Sequence, residues 1–202
     1  MSSRKPRVKY HLDSGGITHL EFNDVKTILR AVDGLIATGG RTMLTKVLKG
    51  SKEKKLLEHG LDQCPVYGFY GHLTLMEISH RIDYVIESGY LKIEYSSRLP
   101  VIVYTEKGWE IERETYAEEL LQELTGLLKG NDFSFVEELK DRNRGMILLL
   151  IEKIENTCNP DFIPILRAWQ TIDYRKVKQA IQGVINDLTK KMDSLKLNKE
   201  SQ

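Results

Sequence analysis

The 202-residue chain is long enough for one or two domains with real cores, and its 41% apolar and 29% charged residues are an ordinary soluble balance. Its net charge of +1 does not by itself call for a polyanion, a membrane or an acidic partner, and two cysteines (Cys64 and Cys158) cannot build a disulfide framework or a four-cysteine zinc site. The longest apolar run, Met146–Ile151, is far shorter than the roughly 20 residues of a bilayer span, and no apolar stretch follows the charged amino terminus. The expectation is a cytoplasmic protein with reduced thiols, no signal peptide and no membrane contact.

The small total hides two opposed blocks. Residues 1–55 carry twelve Lys/Arg against five Asp/Glu, a net +7, and residues 106–141 carry eleven acids against four bases, a net −7. Such segregation suits one face made for a polyanion. Two ordinary charged helix faces explain it equally well.

In chain order, residues 1–20 read as a basic arm with Arg4, Lys5, Arg7, Lys9 and His11, able to reach a groove or merely to solubilise. The spacing of Val25, Ile28, Leu29, Val32, Leu35 and Ile36 predicts a helix over 24–37, capped by Asn23 and stopped by Gly39-Gly40. A second helix is expected over 41–49, ended by Gly50. A short third follows, capped by Ser51, with Leu56 and Leu57 inward and Gly60 at its end. Residues 61–68 form a loop. Thr74-Leu75-Met76-Glu77 spells a capping box, opening a helix with Ile78, Ile82, Val85 and Ile86 on one face and Gly89 at its left-handed end. The period then becomes two: 90–95 and 101–105 read as a hairpin with its tip near Ser97 and Arg98. Helices are expected over 108–128, 133–141, 144–157, 161–171 and 173–190.

Helix, helix, loop, capped helix and hairpin is the order of a winged helix, in which three short helices bury a small core and the hairpin closes it. The fold class expected is mainly α with a β-hairpin wing, followed by a helical region. The motifs Lys46-Val47-Leu48-Lys49-Gly50-Ser51, Cys64-Pro65-Val66-Tyr67-Gly68, Gly89-Tyr90-Leu91 and Tyr104-Thr105-Glu106-Lys107-Gly108 resemble those of the RecQ C-terminal (RQC) winged-helix domain of RecQ-type DNA helicases, over roughly residues 39–112. There is no G-x-x-x-x-G-K-[ST] phosphate loop in the chain and there are too few zinc ligands, so the resemblance implies the DNA-binding part without the motor, similar to stand-alone bacterial RQC-type proteins. The domain reading is a basic arm and helix (1–38), an RQC-like winged helix (39–112) and a helical extension (113–202). The extension resembles a HEAT-type helical hairpin, with Trp109 and Trp169 as packing anchors or interface residues.

Phosphate contact needs cations on one surface. Residues 41–55 supply Arg41, Lys46, Lys49, Lys52, Lys54 and Lys55. The resemblance adds Ser51, Thr74 and Arg98, and the third helix offers Arg81. For the lysines the alternative is a solvated helix face, and for Thr74 plain capping. Glu77, Asp83 and Glu87 on the third helix, taken as outward-facing, would repel a groove, so backbone contact with little sequence readout is expected. Tyr67, Phe69 and Tyr70 suit base stacking or loop packing. No HExxH, CxxC or G-x-S-x-G motif occurs, and Cys64 near His59 reads as structural, so neither catalysis nor a cofactor or metal is expected. The function expected is non-enzymatic binding of duplex or branched DNA in the cytoplasm or on the nucleoid. The alternatives are a protein–protein adaptor docking a partner through the winged helix and the helical repeat, and RNA binding. The oligomeric state is left open.

Overall fold

The computed structural model describes residues 7–130 and 133–200. One compact unit ends at Glu112 and a second begins at Arg113, so the division falls inside a single long helix.

In the first unit, α1 (Phe22–Val32) is followed by a 3-10 turn (Asp33–Leu35), α2 (Arg41–Lys49), the one-turn α3 (Lys54–Glu58), α4 (Leu75–Glu87) and the hairpin β1 (Leu91–Ser96) and β2 (Leu99–Tyr104). The strands pair antiparallel from Leu91↔Tyr104 to Ser96↔Leu99. Ser97 and Arg98 are thus left as a two-residue turn, with Ser97 in the left-handed region. The outer edge of β2 is closed by the backbone before α2: Ala37 N–H donates to Ile102 O and Ile102 N–H to Gly39 O. The winged helix is therefore present. Its core joins Leu44, Val47 and Leu48 of α2, Leu56 of α3, Ile78, Ile82 and Val85 of α4, and Leu91 and Ile102 of the wing. Val25, Ile28, Leu29 and Val32 of α1 bury in the same core, so this helix is part of the winged-helix unit.

The motifs that carried the resemblance have physical reasons here. Gly50 ends α2 in the left-handed conformation, with its own N–H and that of Ser51 returning to Val47 O and Lys46 O. The loop over 64–73 then docks on that helix end: Gly68 N–H donates to Val47 O, Tyr70 N–H to Leu48 O, and Lys49 Nζ to the carbonyls of Gly71 and Leu73. Gly50 and Gly68 meet backbone to backbone, where a Cβ on Gly50 would stand 3.0 Å from Gly68 Cα. At the far side, Thr105 Oγ1 accepts the Gly108 N–H and donates to the carbonyls of Gly89 and Tyr90, fastening the start of α5 (Glu106–Leu127) to the end of α4.

Several expectations are corrected. Glu21, not Asn23, precedes α1, without a side-chain cap, and α1 tightens into the 3-10 turn at Asp33 rather than running to 37. Ser51 does not cap α3: the helix starts two residues later, behind Glu53, and the Ser51 N–H instead closes α2. Leu57 is 43% exposed, since a helix of one turn buries only one of two adjacent leucines.

In the second unit, the later residues of α5 pack with α6 (Val136–Leu139), α7 (Arg144–Thr157), α8 (Ile163–Ile172) and α9 (Arg175–Glu200). Trp169 is buried in this core, its indole N–H donating to Asp173 Oδ2 at 2.7 Å, while Trp109 lies half-buried against Tyr104 in the first unit. Among the described residues no helix is long and apolar enough to cross a membrane.

The glycines give a graded test. A Cβ on Gly108 would lie 2.0 Å from Tyr90 O, a backbone atom that cannot swing aside, whereas one on Gly89 (φ 73°) meets nothing. Gly108→Ala should cost about 3 kcal/mol in urea unfolding and Gly89→Ala about 1 kcal/mol. Equal losses would contradict the close approach of α5 to Tyr90.

Candidate nucleic-acid interface

The expected site residues divide by what their polar groups already hold. Arg41, the first residue of α2, places its guanidinium on both carboxylate oxygens of Asp83 in α4. Asp83 is 2% exposed, and its Oδ2 also accepts the Asp13 N–H at 2.9 Å. Asp83 is therefore not an outward acid facing a groove, as helical spacing suggested, but the buried end of an ion pair. Lys49 bridges two loop carbonyls. Arg81 donates to Glu77 O at 3.1 Å and stands 5.7 Å from the centre of the Tyr70 ring. Ser51 is half-buried, and its carbonyl accepts the Tyr67 hydroxyl.

The capping box at Thr74 forms as spelled. Thr74 Oγ1 accepts the Glu77 N–H, and the Glu77 carboxylate accepts the Thr74 N–H at 2.8 Å and its hydroxyl at 2.7 Å. These bonds hold the Glu77 carboxyl below the usual carboxylate range, the backbone bond first. An anion thus already sits at the start of α4.

The start of α2 differs. Its N-cap is Gly40, which offers no side-chain acceptor, so the N–H groups of Arg41 and Thr42 open the helix uncapped. Gly40 is needed because a Cβ there would stand 2.8 Å from Pro100 O of the wing. This helix end faces a cleft of about 610 Å³ between α2, the residue before α3, the wing and the amino-terminal segment. Lys9, His11, Arg41, Lys46 and Lys55 line it, against one lining carboxylate, Glu53, which Lys46 holds. Lys52 and Lys54 are exposed beside it, Lys54 within 3.7 Å of Glu58, and Arg98 is exposed at the wing tip. The structure brings Arg41, Lys46 and Lys55 to one cleft and leaves Lys49, Thr74 and Arg81 in structural bonds.

Of the aromatic cluster, Tyr70 is buried with its hydroxyl on Asp24, and burial and that bond push its ionisation up. Tyr67 is half-buried, and Phe69 is 44% exposed. The amino-terminal segment, read from sequence as a free arm, is tied down from residue 7: Val8 N–H donates to Arg98 O, the Tyr95 hydroxyl to Val8 O and the Tyr84 hydroxyl to Thr18 O. Arg4 and Lys5 lie outside the described residues. Sequence pattern did not reveal the uncapped Gly40 or the pairing of the arm with the wing. A glycine pair followed by Arg-Thr, with no Ser, Thr, Asp or Asn at the cap position, was the available signal for the first. Among the described residues no group of three or more His, Cys, Asp or Glu is placed to hold a metal.

Arg41 and Asp83 should behave as a unit. Arg41→Met leaves a buried carboxylate unpaired and should cost about 3 kcal/mol, most of it recovered in the double variant Arg41→Met/Asp83→Leu. Chemical denaturation of the four proteins of the cycle measures this. Additive losses would contradict the pairing.

Comparison with known proteins agrees with this architecture. Residues 22–121 match the RQC domain family. The ATP-dependent DNA helicase RecQ of Bacillus subtilis (strain 168) is 35% identical over 69 residues, a match that takes in 34% of this chain and 12% of the helicase. No solved structure matches. Residues 22–121, about half of the chain, from α1 through the wing and into α5, are thus an RQC-type domain, a winged helix of the kind that binds DNA in RecQ helicases.

Proposed function

We propose that this protein binds duplex or branched DNA through phosphate contacts, without catalysis of its own and with little reading of base sequence. The observation that carries this is the cationic cleft at the uncapped start of α2, flanked by exposed Lys52, Lys54 and Arg98. Helix N–H groups and lysines on one face are what a phosphate backbone needs. Lys55, Lys52, Lys54 and Arg98 are the side chains assigned to phosphates, joined by the backbone amides of Arg41 and Thr42. Lys46 neutralises Glu53, the one carboxylate lining the cleft. The guanidinium of Arg41 and the side chains of Lys49, Thr74 and Arg81 act at one remove, by holding the elements that carry the interface.

Base reading has little support. The exposed start of α4 carries Leu75, Met76 and Glu77, with Glu87 exposed at its end. None of these is a bidentate partner for a purine edge, and the two carboxylates oppose entry into a groove. In the helical unit one cleft is lined by Arg167, Gln170, Gln182, Ile185, Asn186, Thr189 and Lys190, a mostly polar set of side chains that lends an adaptor little support. We therefore place the function in the winged helix.

Fluorescence anisotropy of a labelled duplex across a salt series tests the reading. Four to six phosphate contacts predict a log–log slope of about −3.6 to −5.4, reduced by about 2 to 3 when Lys52, Lys54 and Lys55 are all changed to Ala, and nearly the same slope for unrelated sequences. No binding at low salt, or a slope indifferent to the three lysines, would reject it.

A further inference from the structure

We infer that the amino-terminal strap, residues 7–13, forms with the flank of the wing a stacking platform for unpaired nucleotides. This rests on the DNA-binding reading above and adds a ligand class and a site to it. The strap residues lie outside the part of the chain that matches the RQC family.

Both ends of the strap are held. At one end Val8 is clipped between the wing turn and β1, its N–H on Arg98 O at 3.1 Å and its carbonyl taking the Tyr95 hydroxyl at 2.9 Å. At the other, the Asp13 N–H donates to the buried Asp83 and its side chain accepts the Gly15 N–H at 2.9 Å. Between these anchors Tyr10 stands 41% exposed, its ring centre 6.1 Å from that of Tyr95. Arg7 lies 4.8 Å from the centre of the Tyr95 ring. Three π-faced or planar groups are thus gathered beside a wing whose own turn, Ser97-Arg98, carries no aromatic ring. The core does not require Tyr10, which belongs to neither hydrophobic cluster.

Below Tyr10 opens the cationic cleft. Its wing side is apolar (Ile93, Leu99, Val101), and its other walls bring Lys9 and Lys55. An aromatic face beside an apolar wall, with cations within the same cleft, is the combination that binds single-stranded nucleic acid: the base stacks and the phosphate meets the lysine. A base within a duplex has both faces covered by its neighbours and none to offer Tyr10. An acidic peptide would satisfy the lysines but leave the rings unused. The ligand that uses both is an unpaired nucleotide, such as a single-stranded tail leaving a duplex held on the adjacent phosphate-binding face.

The full chain is titrated by anisotropy into a blunt duplex and into the same duplex with a short thymine tail, 3′ or 5′, and a 2-aminopurine in the tail reports stacking. One tail should raise affinity about tenfold over the blunt duplex, with quenching of the 2-aminopurine. Tyr10→Ala should bring the tailed-to-blunt ratio to about one and abolish the quench, and Tyr10→Phe should keep both. Equal affinities with no quench in the unaltered protein would overturn the inference. So would a Tyr10→Ala loss shared equally by tailed and blunt duplex with the ratio intact, which would make the strap a structural clip only. Loss of blunt-duplex binding alone, with the tail quench kept, would overturn the duplex reading and leave the platform standing.

Discussion

The ion pair between Arg41 and the buried carboxylate of Asp83 holds together the elements that line the cationic cleft. It fixes the first residue of α2 against the middle of α4, and the same carboxylate receives the backbone of the strap at Asp13. A carboxylate at that depth is tolerated only when its charge and lone pairs are matched. The uncapped start of α2 and the end of the strap are positioned by one set of bonds. The lysines of the cleft gain their arrangement from this frame.

A division of labour among charged side chains follows. Basic residues close in sequence are not equivalent: Lys49 ties a loop to a helix end, Arg41 neutralises a buried acid, Arg81 satisfies a carbonyl of its own helix, and Lys52, Lys54 and Lys55 face solvent. The two helix starts differ in the same way. The start of α4 holds Glu77 in its own capping box, and the start of α2 is left open because the wing carbonyl of Pro100 leaves room only for glycine at its cap. The open amides at the start of α2 thus favour an anion electrostatically, whereas the start of α4 already carries a carboxylate.

Much of this could be read from local pattern, and the failures have local reasons. The bounds of α2 at 41–49 and α7 at 144–157 were legible because Gly40, Gly50 and Asn143 punctuate strong apolar periodicity, and the capping box named its own helix start. Asp83 was misread because spacing along one helix cannot reveal a partner 42 residues away. Ser51 was misread because a serine after a glycine serves the helix before it or the helix after it, and here its backbone closes α2. The pairing of the arm with the wing rests on main-chain bonds at Val8, to which side-chain pattern is blind.

The central claim is that DNA lies on the face formed by the start of α2, α3 and the wing tip, rather than along α4. Titrating a short duplex into the isotopically labelled full chain, followed by amide chemical shifts, tests it most directly. The account predicts the largest changes at the amides of Arg41, Thr42, Lys52–Lys55 and Arg98, with α4 beyond Glu77 nearly silent. Changes concentrated on the exposed side of α4, or confined to residues after 113, would contradict it.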